Sequence, residues 1–207
     1  MVNKNNFYRV IKIFFDLLVA TLLTILLFPL FLIISILILS EDGFPIIFKQ
    51  KRVGFGGKLF TMYKFRSMKK NSAKEGDKYY CFKGDKRITK IGFYLRKYSL
   101  DELPQFLNIL RLEMSFIGPR PAIHDELFYE KIHQDLVKVI KLRTQVKPGI
   151  TGYSQVISRN DLNWNEKLNL DNKYLSMNER KRLITDFIII FYTIREIFFS
   201  KGIFDKR

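Results

Sequence analysis

The chain has 207 residues, and its 36 Lys and Arg against 20 Asp and Glu give a formal net charge of +16 at pH 7. This length suits one domain of ordinary size with an appendage and excludes two large domains. The charge indicates an anionic partner, such as nucleic acid, acidic lipid or a phosphorylated substrate. The single cysteine, Cys81, excludes an intrachain disulfide, and we expect it to be a small apolar filler in a reducing compartment.

An apolar run occupies residues 13–39 (IFFDLLVATLLTILLFPLFLIISILIL), and its only charge is Asp16. As a straight helix the run would be about 40 Å long, more than the roughly 30 Å hydrocarbon core of a bilayer. It is too long for the apolar region of a signal peptide, and the EDGFP that follows is a poor cleavage site. The segment therefore predicts attachment to a membrane.

Pro29 lies in the middle of this run, where it removes one backbone hydrogen bond and predicts a kink near Phe28. Lysine and arginine flank the run at both ends, and positive charge marks the cytoplasmic side of a membrane. Such flanks are typical of a helix–break–helix segment that enters the bilayer and returns. An ordinary kinked transmembrane helix with a cytoplasmic domain satisfies the same residues, so the residues alone leave both topologies open.

The rest of the chain, residues 41–207, has no second apolar run of about 20 residues, which predicts one basic, water-facing domain. Residues 46–65 predict a β-hairpin joined by a Gly-rich turn, and residues 68–87 predict a loop. Apolar spacings of three and four predict helical structure from Ile88 to Arg111 and a further helix from His124 to Arg143.

The tail from Leu183 to Phe199 is strongly apolar, with Phe187, Ile188, Phe191, Ile194 and Phe198 on one side of a predicted helix. Packing of this helix onto the domain is the favoured interpretation. The alternative is a position in the membrane interface, which the neighbouring cations Lys181, Arg182, Arg195 and Lys201 favour.

The stretch SLDELPQ, residues 99–105, has two interpretations. Ser99 and Glu102 match the capping box, in which each side chain satisfies a backbone N–H at a helix start, and taken alone this interpretation is favoured. The alternative is chemical: Asp101 suits a nucleophile toward phosphorus, and Glu102 offers hard oxygen to Mg²⁺.

The residues around this stretch determine the orientation of its two carboxylates and the pKa of Asp101. We expect Leu100 and Leu103 to face the core, and the two carboxylates to face outward at the positive end of the helix dipole. Arg87, Arg96 and Lys97 are close enough in sequence to hold an anion there and to lower the pKa of Asp101.

Three further stretches present cations. Lys64 and Arg66 are two residues apart in a predicted strand and so share a face that could hold a phosphate, although taken alone a solvated edge strand is the favoured interpretation. The prolines of GPRP hold Arg120 with little conformational freedom, or make this stretch a stiff linker. KPGITG (147–152) does not match the P-loop, but with Arg159 in the following SRN it supplies backbone N–H groups and a cation.

Taken in chain order, these motifs resemble the bacterial sugar transferase family, the monotopic polyprenyl-phosphate phosphoglycosyl transferases, along nearly the whole chain. The matching stretches are FDLLVA, FPLF, IIFKQKRVGFGGKLFTMYKFRSM, DKRITKIGFYLRKYSLDELPQFLNIL, EMSFIGPRP, KPGITGYSQV, SRN and LDNKY. The short length resembles the minimal members of the family. The family break often reads Ser-Pro, whereas Phe28 precedes Pro29 here, so the kink rests on proline and packing.

The resemblance implies an α+β, mainly helical fold in two parts. Residues 1–40 are a re-entrant membrane helix broken at Pro29. Residues 41–207 are a membrane-associated domain with a small β-hairpin and amphipathic or interfacial helices around a cytoplasmic active site. The implied location is the cytoplasmic face of the bacterial inner membrane, with the lipid bilayer as a partner and no nucleic acid. Other glycan-assembly enzymes and a second copy of the chain stay open as partners.

The implied reaction transfers a sugar 1-phosphate from a UDP-sugar to polyprenyl (undecaprenyl) phosphate and releases UMP, the first membrane step of glycoconjugate synthesis. Asp101 is then the nucleophile that forms a covalent phosphosugar intermediate, and Glu102 helps to bind Mg²⁺. The implied substrate-binding residues are Lys64, Arg66, Arg87, Arg96, Arg120 and Arg159. A phosphatase that uses the same carboxylate and a membrane-tethered binding module are the alternatives, and the sugar is not specified.

Overall fold

A computed structural model describes residues 6–70, 72, 85–123, 141–157 and 163–199. The helices are α1 (Asn6–Leu26), α2 (Phe28–Asp42), α3 (Lys90–Lys97), α4 (Phe106–Leu110), α5 (Tyr153–Ile157), α6 (Trp164–Leu175) and α7 (Glu179–Phe199). The strands are β1 (Ile47–Val53), β2 (Leu59–Phe65), β3 (Ser115–Ile117) and β4 (Gly149–Thr151), and 3-10 helices cover Phe55–Gly57 and Leu100–Gln105. The predicted mainly helical fold with a small hairpin is confirmed.

The apolar N-terminal segment is a pair of helices bent by 60° at the predicted break. Pro29 lies in the first turn of α2, where its missing N–H needs no partner. Among the described helices none alone has the length and composition to cross a membrane. Residues 8–26 and 28–42 have that length and composition together, as a bent pair. The kink expected near Phe28 is confirmed.

One side of this helix pair belongs to the core, and the other side is exposed. Ala20 of α1 packs with the hairpin and α4, while Ile34 and Ile38 of α2 pack with Leu95 of α3. On the opposite side of α1, Phe14 is 68% exposed. Both helices therefore rest on the same folded body and present an apolar outer surface.

β1 and β2 form the predicted antiparallel hairpin, with Ile47 opposite Phe65 and Val53 opposite Leu59. The connection between them contains Gly56 and Gly57, both with positive φ, which explains why glycine is needed in this turn. The hairpin is confirmed, and its second strand ends beside the 3-10 helix that carries SLDELPQ.

β3 and β4 form a parallel pair in which the backbones approach very closely. A Cβ atom on Gly149 would lie 2.1 Å from the backbone nitrogen of Gly118, so only glycine fits this crossing. The Gly118 and Gly149 N–H groups donate to the carbonyls of Thr151 and Pro119. The Gly149 N–H of KPGITG therefore binds a carbonyl of the GPRP loop and helps to hold that loop in place.

The C-terminal helix α7 confirms the predicted helix in the tail. It packs through Ile189, which is fully buried and belongs to the same core cluster as Ile117 and Leu175. Phe187 and Phe191 on this helix remain exposed. The other predicted segments are described only in part. Residues 141–143 are helical, as expected, but residues 124–140, most of the predicted loop 68–87, and Cys81 lie outside the described residues.

Candidate active site

SLDELPQ begins with a backbone reversal. Ser99 has a left-handed conformation with φ of 56°, and its side chain makes no cap hydrogen bond. The Glu102 N–H donates instead to the backbone carbonyl of Ser99, at 3.2 Å. The capping-box prediction is wrong, because the Glu102 carboxylate turns away from the helix start toward Lys64.

The dyad formed by Asp101 and Glu102 points into the protein. Asp101 is 6% exposed, and the side chain of Glu102 is 13% exposed. The expectation that both carboxylates face outward is therefore wrong, because the 3-10 helix packs against β2 instead of standing free. Leu100 and Leu103 pack against the buried cluster of α2 and α3, as predicted.

Lys64 at the end of β2 lies between the two carboxylates. Its Nζ atom is 2.6 Å from Oε1 of Glu102 and 3.9 Å from Oδ2 of Asp101. Arg120 approaches from the GPRP loop, and its Nη2 atom is 3.3 Å from the same Oε1 atom. Three motifs that are distant in the sequence thus meet at one charged site, in which Lys64 and the carboxylates are largely buried and the Arg120 side chain is 43% exposed.

This environment pushes the pKa values of the two carboxyls apart. Burial raises the pKa of Asp101, and the positive charges of Lys64, Arg96 and Arg120 offset this only in part. Burial also acts to raise the pKa of Glu102, but Lys64 and Arg120 outweigh it and bring that pKa down to about 2. The predicted lowering of the Asp101 pKa is wrong, because desolvation exceeds the attraction of the cations. Carboxyls with pKa values pushed apart are typical of pairs with different chemical roles.

Each carboxylate keeps one oxygen available. Oδ1 of Asp101 is buried and has no hydrogen-bond partner among the described residues. Within the same part of the chain, the contacts of Glu102 with Lys64 and Arg120 all fall on Oε1. The dyad therefore presents an uncommitted oxygen on Asp101 and a second, Oε2, on Glu102.

These oxygens fit a divalent cation that takes most of its ligands from elsewhere. The described residues contain no group of three or more His, Cys, Asp or Glu that would form an all-protein metal site. Mg²⁺ is usually bound by one or two carboxylates together with substrate phosphates and water. The dyad meets that requirement, with Glu102 Oε2 as the available ligand.

Arg96 is the remaining predicted cation near the dyad. Its Nε atom donates to Oγ of Ser67 at 2.9 Å, which fixes the guanidinium beside the end of β2. Its charge acts on Asp101, whose pKa it lowers against the effect of burial. The structure therefore brings Lys64, Arg96 and Arg120 together around the dyad.

Arg66 and Arg87 have other carboxylate partners. Arg66 pairs with Asp42 at 3.0 Å and also donates to backbone carbonyls at the end of α2. Its partners thus differ from those of Lys64, which binds Glu102 of the dyad. Arg87 pairs with Asp85 at 2.6 Å, and both residues are buried. The predicted substrate-binding residue Arg159 lies outside the described residues.

Asn108 is a positioning residue that the sequence analysis missed. It is fully buried, and it accepts from the Tyr63 N–H at 3.1 Å and donates to the Thr61 carbonyl at 2.7 Å. These bonds join α4 to β2 immediately before Lys64. The signal in the sequence was an amide within the apolar run FLNIL, where a buried polar side chain needs partners.

Arg143 is a second missed residue, and it fixes the loop that carries Arg120. Its guanidinium donates to the backbone carbonyl of Arg120 and pairs with Asp171 at 3.0 Å. Arg52 holds the next part of the loop through the Pro121 carbonyl, at 2.8 Å. The GPRP loop is therefore held by proline geometry and by two arginines from distant segments.

Comparison with known proteins gives consistent matches along the chain. The profile of the bacterial sugar transferase family matches residues 7–200. The exopolysaccharide production protein ExoY of Sinorhizobium fredii is 36% identical over 202 residues, covering 91% of this chain and 85% of that relative.

Two longer relatives carry printed names that describe a reaction. The undecaprenyl-phosphate galactose phosphotransferase of Salmonella typhimurium is 36% identical, covering 94% of this chain and 42% of that relative. The UDP-glucose:undecaprenyl-phosphate glucose-1-phosphate transferase of Escherichia coli is 41% identical over 72% of this chain and 31% of that relative. With the family profile covering nearly all of its length, the chain belongs to the bacterial sugar transferase family.

Proposed function

We propose that this enzyme transfers a sugar 1-phosphate from a UDP-sugar to polyprenyl phosphate, through a covalent intermediate on Asp101. The observation that carries the proposal is the buried Oδ1 atom of Asp101, which has no hydrogen-bond partner among the described residues and belongs to a carboxyl on which the charges of Lys64, Arg96 and Arg120 act. The names of two relatives, which specify undecaprenyl phosphate as acceptor, support the class of substrate. The product would be a polyprenyl-diphosphate sugar, the first membrane-bound intermediate of a polysaccharide or other glycoconjugate.

The first step is attack by Asp101 Oδ1 on the phosphorus atom that is bonded to the sugar oxygen. A bond forms between the carboxylate oxygen and phosphorus, and the bond from phosphorus to the bridging oxygen of the diphosphate breaks. The bridging oxygen leaves on UMP with the electron pair. An unpaired carboxylate oxygen suits this attack, because no hydrogen bond must be broken before it reacts.

In the second step an oxygen of polyprenyl phosphate attacks the same phosphorus and releases the Asp101 carboxylate. No net proton is consumed in either step. Covalent catalysis divides the transfer in two, so the nucleotide and the lipid need not occupy the site together. Lys64, Arg96 and Arg120 would neutralise phosphate charge in both steps, and Arg66, Arg87 and Arg159 stay predicted substrate-binding residues.

We further propose Mg²⁺ as the cofactor, with Glu102 as its protein ligand. A bound Mg²⁺ would supply charge neutralisation on the diphosphate. The role of this chain in that arrangement is to keep Glu102 ionised. The contacts with Lys64 and Arg120 do so, since they bring the pKa of Glu102 down to about 2.

We propose that residues 1–40 form a re-entrant anchor in the cytoplasmic membrane, with residues 41–207 on the cytoplasmic face. The uncharged part of α1, residues 17–26, is about 15 Å long, and residues 28–39 of α2 are about 18 Å long. Each is close to half of the roughly 30 Å hydrocarbon core. The packing of both helices on one body supports an entry and a return from the same side.

Cysteine labelling tests this topology in intact and permeabilised cells. After Cys81 is replaced by Ser, single cysteines at positions 5 and 42 are expected to be labelled by a membrane-impermeant maleimide only once the cytoplasm is opened. Labelling of position 5 and position 42 from opposite sides would show a transmembrane helix instead.

The reaction itself is tested with a panel of UDP-sugars, polyprenyl phosphate and Mg²⁺. At least one UDP-sugar is expected to give UMP and a lipid-linked sugar, and removal of Mg²⁺ with EDTA is expected to stop both. Release of inorganic phosphate from a polyprenyl diphosphate, without UMP, would favour the phosphatase. Salt-sensitive binding of nucleic acid without turnover would favour the binding module.

A further inference from the structure

A cavity of about 510 Å³ lies away from the dyad, between the first turns of α1, strand β3, and the α6–α7 region. Its walls combine apolar and charged side chains, and they include Ile13, Ile117 and Tyr174. Lys64, Asp101 and Glu102 are not among its lining residues. The chemistry proposed above therefore leaves this cavity without a role.

Positive charge exceeds negative charge at this cavity. The lining cations are Arg9, Lys12, Lys147 and Arg182, and the lining carboxylates are Asp16 and Glu179. Within the described residues, Lys12 and Arg182 have other partners: Lys12 pairs with Asp186 at 3.6 Å, and Arg182 donates to the Leu175 carbonyl. Asp16 is also engaged, since its Oδ1 atom accepts the Phe116 N–H at 3.1 Å.

Arg9 and Lys147 are the two cations that the cavity leaves available. Neither forms an ion pair with a described carboxylate, and the Arg9 guanidinium lies over the Phe55 ring at 5.1 Å. Burial lowers the pKa of Lys147; the negative charge of Asp16 opposes this, and the smaller effect of Arg9 lowers the pKa again. Because four cations and only two carboxylates line the cavity, and Asp16 already accepts the Phe116 N–H, a bound anion would offset the excess positive charge.

The position of the cavity beside α1 favours an anion that is the head group of a lipid. Val10 and Phe14, in the same turns of α1, are 62% and 68% exposed. In the re-entrant topology, on which this step rests, these side chains lie in the bilayer and the cavity opens near the head groups. Basic side chains at that depth attract anionic lipid, and the apolar wall suits the start of an acyl chain.

We propose that this cavity binds the phosphate group of an anionic phospholipid, held by Arg9 and Lys147 at a site separate from the catalytic dyad. The lipid would join α1 to the β3 and α6–α7 region and so hold the membrane anchor against the catalytic body. A free phosphate ion offers the same charged group, and the test below separates the two sources.

The test is native mass spectrometry of the full chain in detergent, with dioleoyl-phosphatidylglycerol or dioleoyl-phosphatidylcholine added. The protein is expected to retain phosphatidylglycerol in preference to phosphatidylcholine. Arg9→Gln and Lys147→Gln are each expected to weaken this binding about five-fold, and Lys147→Arg to restore it. Lys51→Gln, which removes an exposed charge on β1, is the matched control and is expected to leave binding unchanged.

Three outcomes would overturn the proposal: equal retention of the two lipids, equal binding by Lys147→Gln and the unmodified chain, or displacement of phosphatidylglycerol by inorganic phosphate. The last of these would identify a soluble phosphate as the ligand. Because the readout is lipid binding, Asp101→Asn is expected to bind phosphatidylglycerol normally. Failure of the proposed reaction and failure of this lipid site are thus distinguishable.

Discussion

Asp101→Asn is expected to reduce UMP release by about 10⁴-fold or more, the scale seen when a catalytic nucleophile is removed. The amide has nearly the same shape as the carboxylate but no negative oxygen with which to attack phosphorus. Intact-mass measurement after exposure to the UDP-sugar without lipid acceptor is expected to show a phosphosugar adduct on the unmodified chain. The same measurement on Asp101→Asn is expected to show none.

Glu102→Gln is the comparison that separates the two carboxylates. It removes the proposed metal ligand and the partner of Lys64 but keeps Asp101, so it is expected to slow formation of the adduct without abolishing it. An adduct on Asp101→Asn would move the nucleophile away from Asp101. If Glu102→Gln at the same time formed no adduct, Glu102 would be the nucleophile.

The stability of Asp101→Asn provides an internal control on folding. Folding raises the pKa of Asp101, so the folded protein loses stability as the pH rises through that pKa. At neutral pH the ionised form of Asp101 therefore destabilises the fold. A neutral amide avoids that cost. The melting temperature of Asp101→Asn is therefore expected to equal or exceed that of the unmodified chain, which separates loss of chemistry from loss of structure.

Much of the local structure was predictable because it depends on neighbouring residues. The position of Pro29 predicted the break between α1 and α2, and the Gly-rich turn with its flanking apolar residues predicted the β1–β2 hairpin. The apolar spacing likewise predicted helix α7. In each case a backbone preference and a short-range pattern favour the same structure.

The arrangement of the site was harder to predict, since it depends on contacts between distant segments. Neighbouring residues alone favour a capping box at Ser99. Instead, the Glu102 carboxylate binds Lys64, which lies 38 residues earlier in the chain than Glu102. The direction of the Asp101 pKa shift also needed burial, which no local pattern supplies. Motif resemblance identified the dyad and three nearby cations, while Asn108 and Arg143 emerged only from the packing.

Lys64→Met is expected to move the acid limb of the pH–rate profile to higher pH. Lys64 is the cation with the largest effect on Asp101, and its removal leaves burial and the negative charge of Glu102 less opposed. The pKa of Asp101 then rises further, so less of it is ionised at neutral pH. The profile of kcat/KM for UMP release reports this pKa in the free enzyme.

A pH shift distinguishes this role from simple loss of a phosphate contact, which would lower kcat/KM by the same factor at every pH. Activity of Lys64→Met is expected to recover in part at alkaline pH, where Asp101 ionises without its cation. Lys51→Met, on the exposed side of the same hairpin, is expected to keep the profile of the unmodified chain. A profile of Lys64→Met that is lower but unshifted would limit Lys64 to substrate binding, because the ionisation of Asp101 would then not depend on it.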